Sequence, residues 1–517
     1  MSKFKIRVLC AAFAAGLIGS LAVTPALAAD KDSRVIVKFK AGAFAKGRAE
    51  VAAQGGQVLV NLSEVNAIAT RLSPAAVKLI QRSRFVEFVE PDYLQHQMAV
   101  KRVKPAAVAM AETVPYGIPM VQGDMVSDAA AGNRTLCIID SGIDGTHPDH
   151  AGNMLSGENF TTSGTWDSDE SDHGTHVAGT IAAVGGNGIG VVGVMPGKNI
   201  NLYIAKVFDA SGTVSSSTVA KAMWACHKNG GANVISMSLG GSSPSRLQGL
   251  IAKLLDRRGV MMFAAAGNGG TSAISYPAGF PEVISVAAVD SAMAHADFSQ
   301  FNPDVEIAAP GVGVLSTVPV GHGQSSTLDV NGTGFAVAAG VGSGTGSVTA
   351  ALYDFALGEA VDAGASGKVC LISRGVISFS DKVDNCVASG GVGAVIYNNV
   401  PGALLMDLGG AKSIPAVGAD GNDAAALLAK VGQSATVAVM ASDYAEFNGT
   451  SMATPHASAV AALVWSQHTA CTAAQMRASL NNSAMDLGAA GRDDLFGFGL
   501  IQAKTASDRI TSMGCGN

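Results

Sequence analysis

The 517-residue chain reads as an α/β protein: a parallel sheet with helices on both faces, a small α+β unit before it, and a second folded unit inserted late. Short runs of β-branched and aliphatic residues at 134–139, 201–207, 233–237, 260–265 and 283–288 alternate with helical stretches such as 217–228 and 245–257. Strands that are apolar without alternation are the ones covered on both faces, the situation of a parallel sheet between helix layers. Composition agrees, because 48% hydrophobic residues, 63 glycines and only 14% charge suit a large, tightly packed core. The length itself implies several domains.

Residues 1–28 have the pattern of a secretory leader: Lys3, Lys5 and Arg7, an apolar stretch over 8–23, then Ala26-Leu27-Ala28 as a cleavage signal. That stretch is short for a membrane anchor. Residues 29–110 hold strand-like segments at 33–40 and 85–90 and a helical one at 74–82, with Ser73 placed as N-cap. The basic, alanine-rich stretch 95–110 has no periodicity and reads as a linker. The sheet-and-helix pattern occupies 111–320 and resumes at 444–517, with 321–443 as an interruption. Inside it, 358–432 has its own strands (368–373, 394–398, 416–417), an alanine-rich helix near 422–431 and two cysteines, so it reads as a separately folded insertion. The Gly/Ser-rich segment 320–346 reads as its connector.

A net charge of −6 with no basic run gives no reason to expect nucleic acid, and no basic amphipathic helix suggests a membrane surface once the leader is gone. Export would place the cysteines in an oxidising compartment. Beyond Cys10 in the leader there are six, which allow fifteen pairings. Locality favours Cys370–Cys386 and Cys471–Cys515 and leaves Cys137–Cys226, with two buried free thiols at 137 and 226 as an open alternative. None has metal-site spacing. The triplets at Asn159 and Asn331 leave glycosylation open, while the one at Asn448 adjoins Ser451 and would be blocked sterically.

Three segments carry the chemistry: D-S-G-I-D at 140–144, H-G-T-H at 173–176 and G-T-S-M-A-T-P at 449–455. A serine hydroxyl is a poor nucleophile at neutral pH and needs an imidazole to take its proton. The imidazole in turn needs a carboxylate to fix its tautomer and stabilise its cation. Asp140, His173 and Ser451 supply those three groups. Taken alone, Asp140 could be a turn residue and Ser451 a helix N-cap; their joint occurrence with His173 favours catalysis. His173 and His176 share a helical face, which raises a zinc reading. The glutamate of H-E-x-x-H and a third ligand are both missing, so His176 is expected to be a packed, hydrogen-bonded core residue.

Those segments, with V-P-Y-G at 114–117, S-L-G-G at 238–241, A-A-A-G-N at 264–268 and A-P-G at 309–311, resemble the secreted subtilisin-like serine peptidases with an inserted protease-associated domain. The resemblance implies a monomer acting on protein or peptide substrates by acyl-enzyme hydrolysis of peptide bonds with no catalytic cofactor, and Asn268 as oxyanion donor beside the Ser451 backbone N–H. It implies a cleft strand of Ser238, Leu239 and Gly240. The primary pocket would be lined by Ala265, Gly267 and Ser275, with room for large apolar or aromatic side chains. Residues 29–110 would be an inhibitory pro-segment ending in the V-x-x-V-E-P-D phrase at 86–92, removed autocatalytically after Met110 so that the mature chain begins near Ala111. A structural calcium would sit on Glu112, Asp149 and the loop of Asn187, Ile189 and Val191. The rival is a binding protein on the same scaffold that has lost activity, against which the intact triad and Asn268 argue.

Overall fold

The computed structural model describes residues 32–98, 101–104 and 112–516; the leader at 1–28 and the junction expected at Met110 lie outside them. Seven parallel strands form the central sheet, in the order Val305–Pro310, Val283–Val289, Met261–Ala265, Val234–Met237, Thr135–Asp140, Asn201–Lys206, Met154–Asn159. Their alternate residues feed two different cores. Leu136 and Ile138 pack with Val177 and Ile181 of helix His173–Ala182 and with Val460 and Leu463 of helix Thr450–Gln467. Cys137 and Ile139 pack instead with Val219 and Met223 of helix Ser216–Lys228 and with Leu247 and Ile251 of helix Arg246–Asp256. Each fully buried aliphatic side chain contributes about 1.5–3 kcal/mol, so both faces demand apolar residues and the inner strands read as largely apolar runs, unlike the edge strand Met154–Asn159.

Helix Thr450–Gln467 is buried on every side except at its last residue, which its Ala, Ser and Val content allows. Pro455 lies inside it and has no N–H for the carbonyl of Ser451. Ser238 fills that gap, its hydroxyl donating to the Ser451 carbonyl at 2.8 Å. A distortion that a proline would cause is thereby turned into a link between the helix start and the neighbouring strand end.

The amino-terminal unit is a four-stranded antiparallel sheet, in the order Gln57–Leu62, Ala67–Leu72, Ser33–Phe39, Val86–Pro91, with helices Phe44–Ala53 and Pro74–Gln81. Ser73 caps the second helix, accepting from Ala76 N–H at 3.2 Å. The stretch expected as a structureless linker contains two strands, Leu94–Gln97 and Lys101–Lys104. Both add to strands of the peptidase through backbone pairing, which needs no apolar periodicity of its own.

The segment 320–346 is not a connector. Strands Gly323–Val330, Thr333–Phe335 and Val337–Ala339 belong to the eight-stranded sheet of the inserted unit, and the first of them pairs with Ser434–Ser442. Ser326, Leu328 and Val330 are the buried alternate residues; serine and glycine spacers disguise that pattern. The helix expected near 422–431 is only Ala424–Leu428, preceded by a single 3-10 turn. Bridges Cys137–Cys226, Cys370–Cys386 and Cys471–Cys515 are all formed, with Cα–Cα separations of 5.7, 6.3 and 5.5 Å, so cysteines 137 and 226 are not free thiols.

Candidate active site

Asp140 is the last residue of a central strand, and His173 is the first of a buried helix. Gly142, at φ +105°, turns the chain between them; a Cβ there would strike the Ser168 carbonyl. His173 Nδ1 and Asp140 Oδ1 are 2.7 Å apart, and both side chains are buried. A carboxylate at that distance accepts the Nδ1–H and leaves Nε2 as the basic nitrogen. Nε2 is buried without a hydrogen-bond partner. Burial alone would pull the His173 pKa down. The Asp140 charge, their hydrogen bond and the more distant Asp169 more than offset this, and it lies above the ordinary imidazole value.

Three residues that sequence reasoning passed over hold this pair in place. Ser141 Oγ accepts from Gly174 N–H at 2.8 Å and donates to Asp169 Oδ1 at 2.8 Å. Asp169 also accepts from Thr175 N–H at 2.9 Å and Thr175 Oγ1 at 2.7 Å, so it pins the first turn of the His173 helix. Its burial raises its pKa despite these donors. Buried Lys206 donates to Ser141 O and Glu170 Oε2 at 2.5 Å each, and to Ser168 O at 2.9 Å, joining the turn after Asp140 to the loop before His173. The acidic run D-S-D-E-S-D ahead of H-G-T-H was the available signal, since acidic residues gather at helix N-termini.

His176, one turn along the same helix, points elsewhere. Its Nε2 lies 2.9 Å from Val314 O and 3.1 Å from Ala445 O, and its ring stacks on Phe447 at 4.3 Å. Burial, with His173 nearby, lowers its pKa to about 3. It is a packed, hydrogen-bonded core residue.

Ser451 is the second residue of helix Thr450–Gln467, where the helix dipole favours a negative charge. Its hydroxyl donates to Ser238 O at 3.1 Å rather than to an imidazole. Asn268 follows strand Met261–Ala265, and its side-chain oxygen accepts from Thr450 N–H at 2.9 Å and Thr450 Oγ1 at 2.8 Å. With the oxygen committed, the Nδ2 end faces Gly449: a Cβ on Gly449 would lie 3.2 Å from it. The same Thr450 hydroxyl accepts from Gly267 N–H at 3.2 Å.

Leu239–Gly240 is a short strand beside this centre. Strand Leu94–Gln97 lies between it and Thr213–Ser215, antiparallel to both, with Leu239 opposite Gln97 and Gly240 opposite His96. Gln95 is buried, its amide bonding Gln248 Oε1 at 3.0 Å and Tyr276 O at 2.9 Å. A Cβ on Gly240 would collide with Met98 Cε and Ser275 Oγ, so the Met98 methyl sits where Gly240 and Ser275 meet. Just upstream, two carboxylates cap two peptidase helices. Glu90 accepts from Ser245 Oγ, Arg246 N–H and Leu247 N–H at 2.9–3.0 Å, and Asp92 from Ser217 N–H and Oγ at 2.9 and 2.7 Å.

Glu112, Asp149 and the 187–191 loop are brought together. Asp149 Oδ1 accepts from Asn187 Nδ2 at 2.7 Å and Oδ2 from Val191 N–H at 2.8 Å, while Glu112 Oε2 accepts from Asn187 and Gly188 N–H at 3.1 and 3.3 Å. Ile189 N–H donates to Asn187 Oδ1 at 3.0 Å. Two carboxylates and an amide on one loop are the hard oxygen donors calcium takes, so the residues suit the ion chemically. Here their oxygens are satisfied by loop N–H groups, and among the described residues no three His, Cys, Asp or Glu side chains form a metal-ligand group.

A model of the subtilase family matches residues 132–351 and 408–499, and one of the PA domain matches 333–427. Subtilisin NAT of Bacillus subtilis subsp. natto is 37% identical over 326 residues, spanning 60% of this chain and 81% of that protein. The alkaline protease of Shouchella clausii is 36% identical over 288 residues, 54% and 68% of the two chains. The crystal structure of the psychrophilic subtilisin-like protease Apa1 from the Antarctic psychrotroph Pseudoalteromonas sp. AS-11 superposes with a TM-score of 0.63 at 40% identity, over 78% of this chain and 99% of that one. Fervidolysin from Fervidobacterium pennivorans shares the fold at a TM-score of 0.61, with 24% identity over 92% of this chain and 61% of its own. The family model spans more than half of the residues, and the chain belongs to the subtilase family, as a subtilisin-like serine endopeptidase with an inserted PA domain.

Proposed function

We propose that this endopeptidase is exported and processes its own precursor, with Ser451 as nucleophile, His173 as general base, Asp140 as the group that orients it and Asn268 as oxyanion donor. The observation that carries the assignment is the buried 2.7 Å pair of His173 Nδ1 and Asp140 Oδ1, which leaves Nε2 without a partner. Rotation of the Ser451 hydroxyl off Ser238 O lets it give its proton to Nε2 as Oγ attacks the peptide carbonyl. The oxyanion forms where Asn268 Nδ2 and the Ser451 N–H face it. His173 then protonates the leaving amine, and water releases the acyl-enzyme by the same route in reverse.

Leu94–Gln97 in the cleft, with Glu90 and Asp92 capping helices on the peptidase surface, supports reading the amino-terminal unit as an intramolecular inhibitor. The unbranched apolar side chain of Met98 beside Gly240 and Ser275 supports a primary pocket for large apolar residues. The leader and three bridges support secretion, as a monomer. A structural calcium on Glu112, Asp149 and the 187–191 loop belongs to the same proposal; a chelator should lower Tm in the wild type and not in Asp149→Asn. Expression of wild type and Ser451→Ala tests the core of the reading. Wild type should hydrolyse casein and lose its amino-terminal unit, whereas Ser451→Ala should remain full length and inert. A Ser451→Ala protein that matures and degrades casein would reject the assignment.

A further inference from the structure

The chain enters the inserted sheet through the turn 319–322, closed by the His322 N–H on Pro319 O at 2.9 Å with Gly321 at φ +78°. That turn is bonded to all three segments that carry the catalytic residues. Val320 N–H donates to Asp144 Oδ2 at 3.0 Å, four residues past Asp140. Asp144 in turn gives its own N–H to Thr175 Oγ1 at 3.0 Å, on the first turn of the His173 helix. Gly321 N–H donates to Asp443 Oδ1 at 2.8 Å, just ahead of strand Tyr444–Asn448, which leads into Ser451. His322 Nδ1 lies 2.7 Å from Asp172 Oδ1, and Asp172 is the residue before His173.

Asp172 stands at the N-cap position of helix His173–Ala182, yet its side chain does not cap it. The N–H groups it would take are already held, Gly174 N–H by Ser141 Oγ and Thr175 N–H by Asp169 Oδ2. Its carboxylate is directed to His322 instead. A carboxylate only accepts, so Nδ1 donates, and it does so whether or not the imidazole is protonated. The Asp172 backbone sits at φ +70°, in the left-handed region that aspartate tolerates better than most residues. Its carbonyl accepts from His176 N–H at 3.2 Å, the first bond of the helix. The conformation of Asp172 thus decides how that helix starts, and with it where the His173 ring points. Asp172 is buried and the His322 side chain is half-exposed. A partly exposed pair adds little to stability, so its consequence is orientation.

We propose that His322 is a positioning residue for the general base, acting through Asp172. Its bond holds Asp172 in the conformation that starts the helix with His173 Nδ1 2.7 Å from Asp140 Oδ1. The side chain comes from the connection that begins the insertion, immediately ahead of strand Gly323–Val330. Because the turn is closed on itself and anchored on Asp144, its place does not depend on the Cys370–Cys386 bridge further along. The inference rests on the role of His173 proposed above and adds to it a group that sets its aim. Errors in that aim raise the barrier, because proton transfer needs the ring nitrogen within hydrogen-bond reach of the hydroxyl.

Peptide turnover per active site, with sites counted by fluorophosphonate titration, tests this in wild type, His322→Leu, His322→Asn, Asp172→Gly and the His322→Leu/Asp172→Gly double variant. Leucine removes the donor, whereas asparagine places an amide N–H close to where Nδ1 was. His322→Leu should lose about tenfold in kcat with KM unchanged, the mark of an error in aim rather than in binding. His322→Asn should recover most of that loss. Asp172→Gly keeps the left-handed backbone and removes only the carboxylate, so it should lose the same factor. The double variant should lose no more than either single one, since both act through one bond. An unchanged kcat in His322→Leu, whatever its Tm, overturns the inference. So does an asparagine variant as slow as the leucine one, or a double variant in which the two losses multiply. If His322→Leu does not accumulate, an unchanged kcat in Asp172→Gly overturns it equally. A wild type that turns over no peptide would reject the His173 assignment as well; an active wild type beside an indifferent His322→Leu leaves that assignment standing.

Discussion

The peptidase core and the inserted domain are both α/β sheets, yet they bury different things. The core closes over Asp140, Asp169, His173, His176 and Lys206, with the partners described above, and over His456, whose Nδ1 lies 2.8 Å from Met452 O. Among the described residues of 323–442, Lys382 is the one buried titratable side chain, and the rest of the interior is apolar apart from Ser326, Ser343, Ser389 and Asn398, with the Cys370–Cys386 bridge. Buried polar groups are costly unless satisfied, so a region that keeps many of them keeps them for chemistry. The core is where the sequence accepts that cost; the inserted domain accepts it at far fewer positions.

The sharpest test of that contrast replaces Asp140 by Asn. The geometry survives, but Nδ1–H loses its anionic acceptor, and kcat should fall by about 10⁴. Because Asp140 holds the His173 pKa above its ordinary value, the acid limb of kcat/KM should also shift to lower pH in the variant. Activity needs neutral His173, so in the wild type it is lost as pH falls through that raised value. Asn268→Leu should cost less, about 10²–10³ in kcat with little change in KM, the range known for the corresponding donor in subtilisin itself.

The inserted domain should respond in the opposite way. Removing the bridge with Cys370→Ala and Cys386→Ala opens a loop of separation 16 and should destabilise that domain by about 3 kcal/mol. Turnover of a small peptide by the core should be unchanged. An equal loss of peptide turnover would mean the two regions are coupled and the contrast is false.

Acid should separate them more gently. Burial holds His150 and His176 at about 3 and His456 at about 4, all within the core. Unfolded imidazoles take protons near pH 6.5 while these do not, so the unfolded state binds more protons between roughly 6.5 and 4 and core stability falls as pH drops through that window. The loss is on the order of 1 kcal/mol per pH unit for each imidazole. Urea unfolding at pH 7 and pH 5, followed separately in the two domains, should show the core weakening and the inserted domain holding.

The same contrast explains what was legible in the sequence. Central strands such as Val283–Val289 announce themselves because both faces are buried and every residue but Ser285 is apolar. Asp140, His173 and Ser451 stand beside glycines that let other backbones approach; a Cβ on Gly174, for instance, would meet the Gly142 carbonyl. Leu94–Gln97 and Lys101–Lys104 were illegible because their order comes from a partner's edge rather than from their own side chains. Gly323–Val330 hid behind Ser and Gly spacers that resemble a connector. Lys206 acts through hydrogen bonds across the fold, and spacing along the chain carries no trace of it, whereas Asp169 stands in the acidic run before His173.

The mechanism requires Ser451 to be a nucleophile driven by His173. Mature protein treated with a fluorophosphonate should gain one adduct, mapped by tryptic mass spectrometry to the peptide containing Ser451, and His173→Ala should lose that labelling. An unmodified Ser451 in protein that hydrolyses casein, or labelling indifferent to His173→Ala, would contradict it.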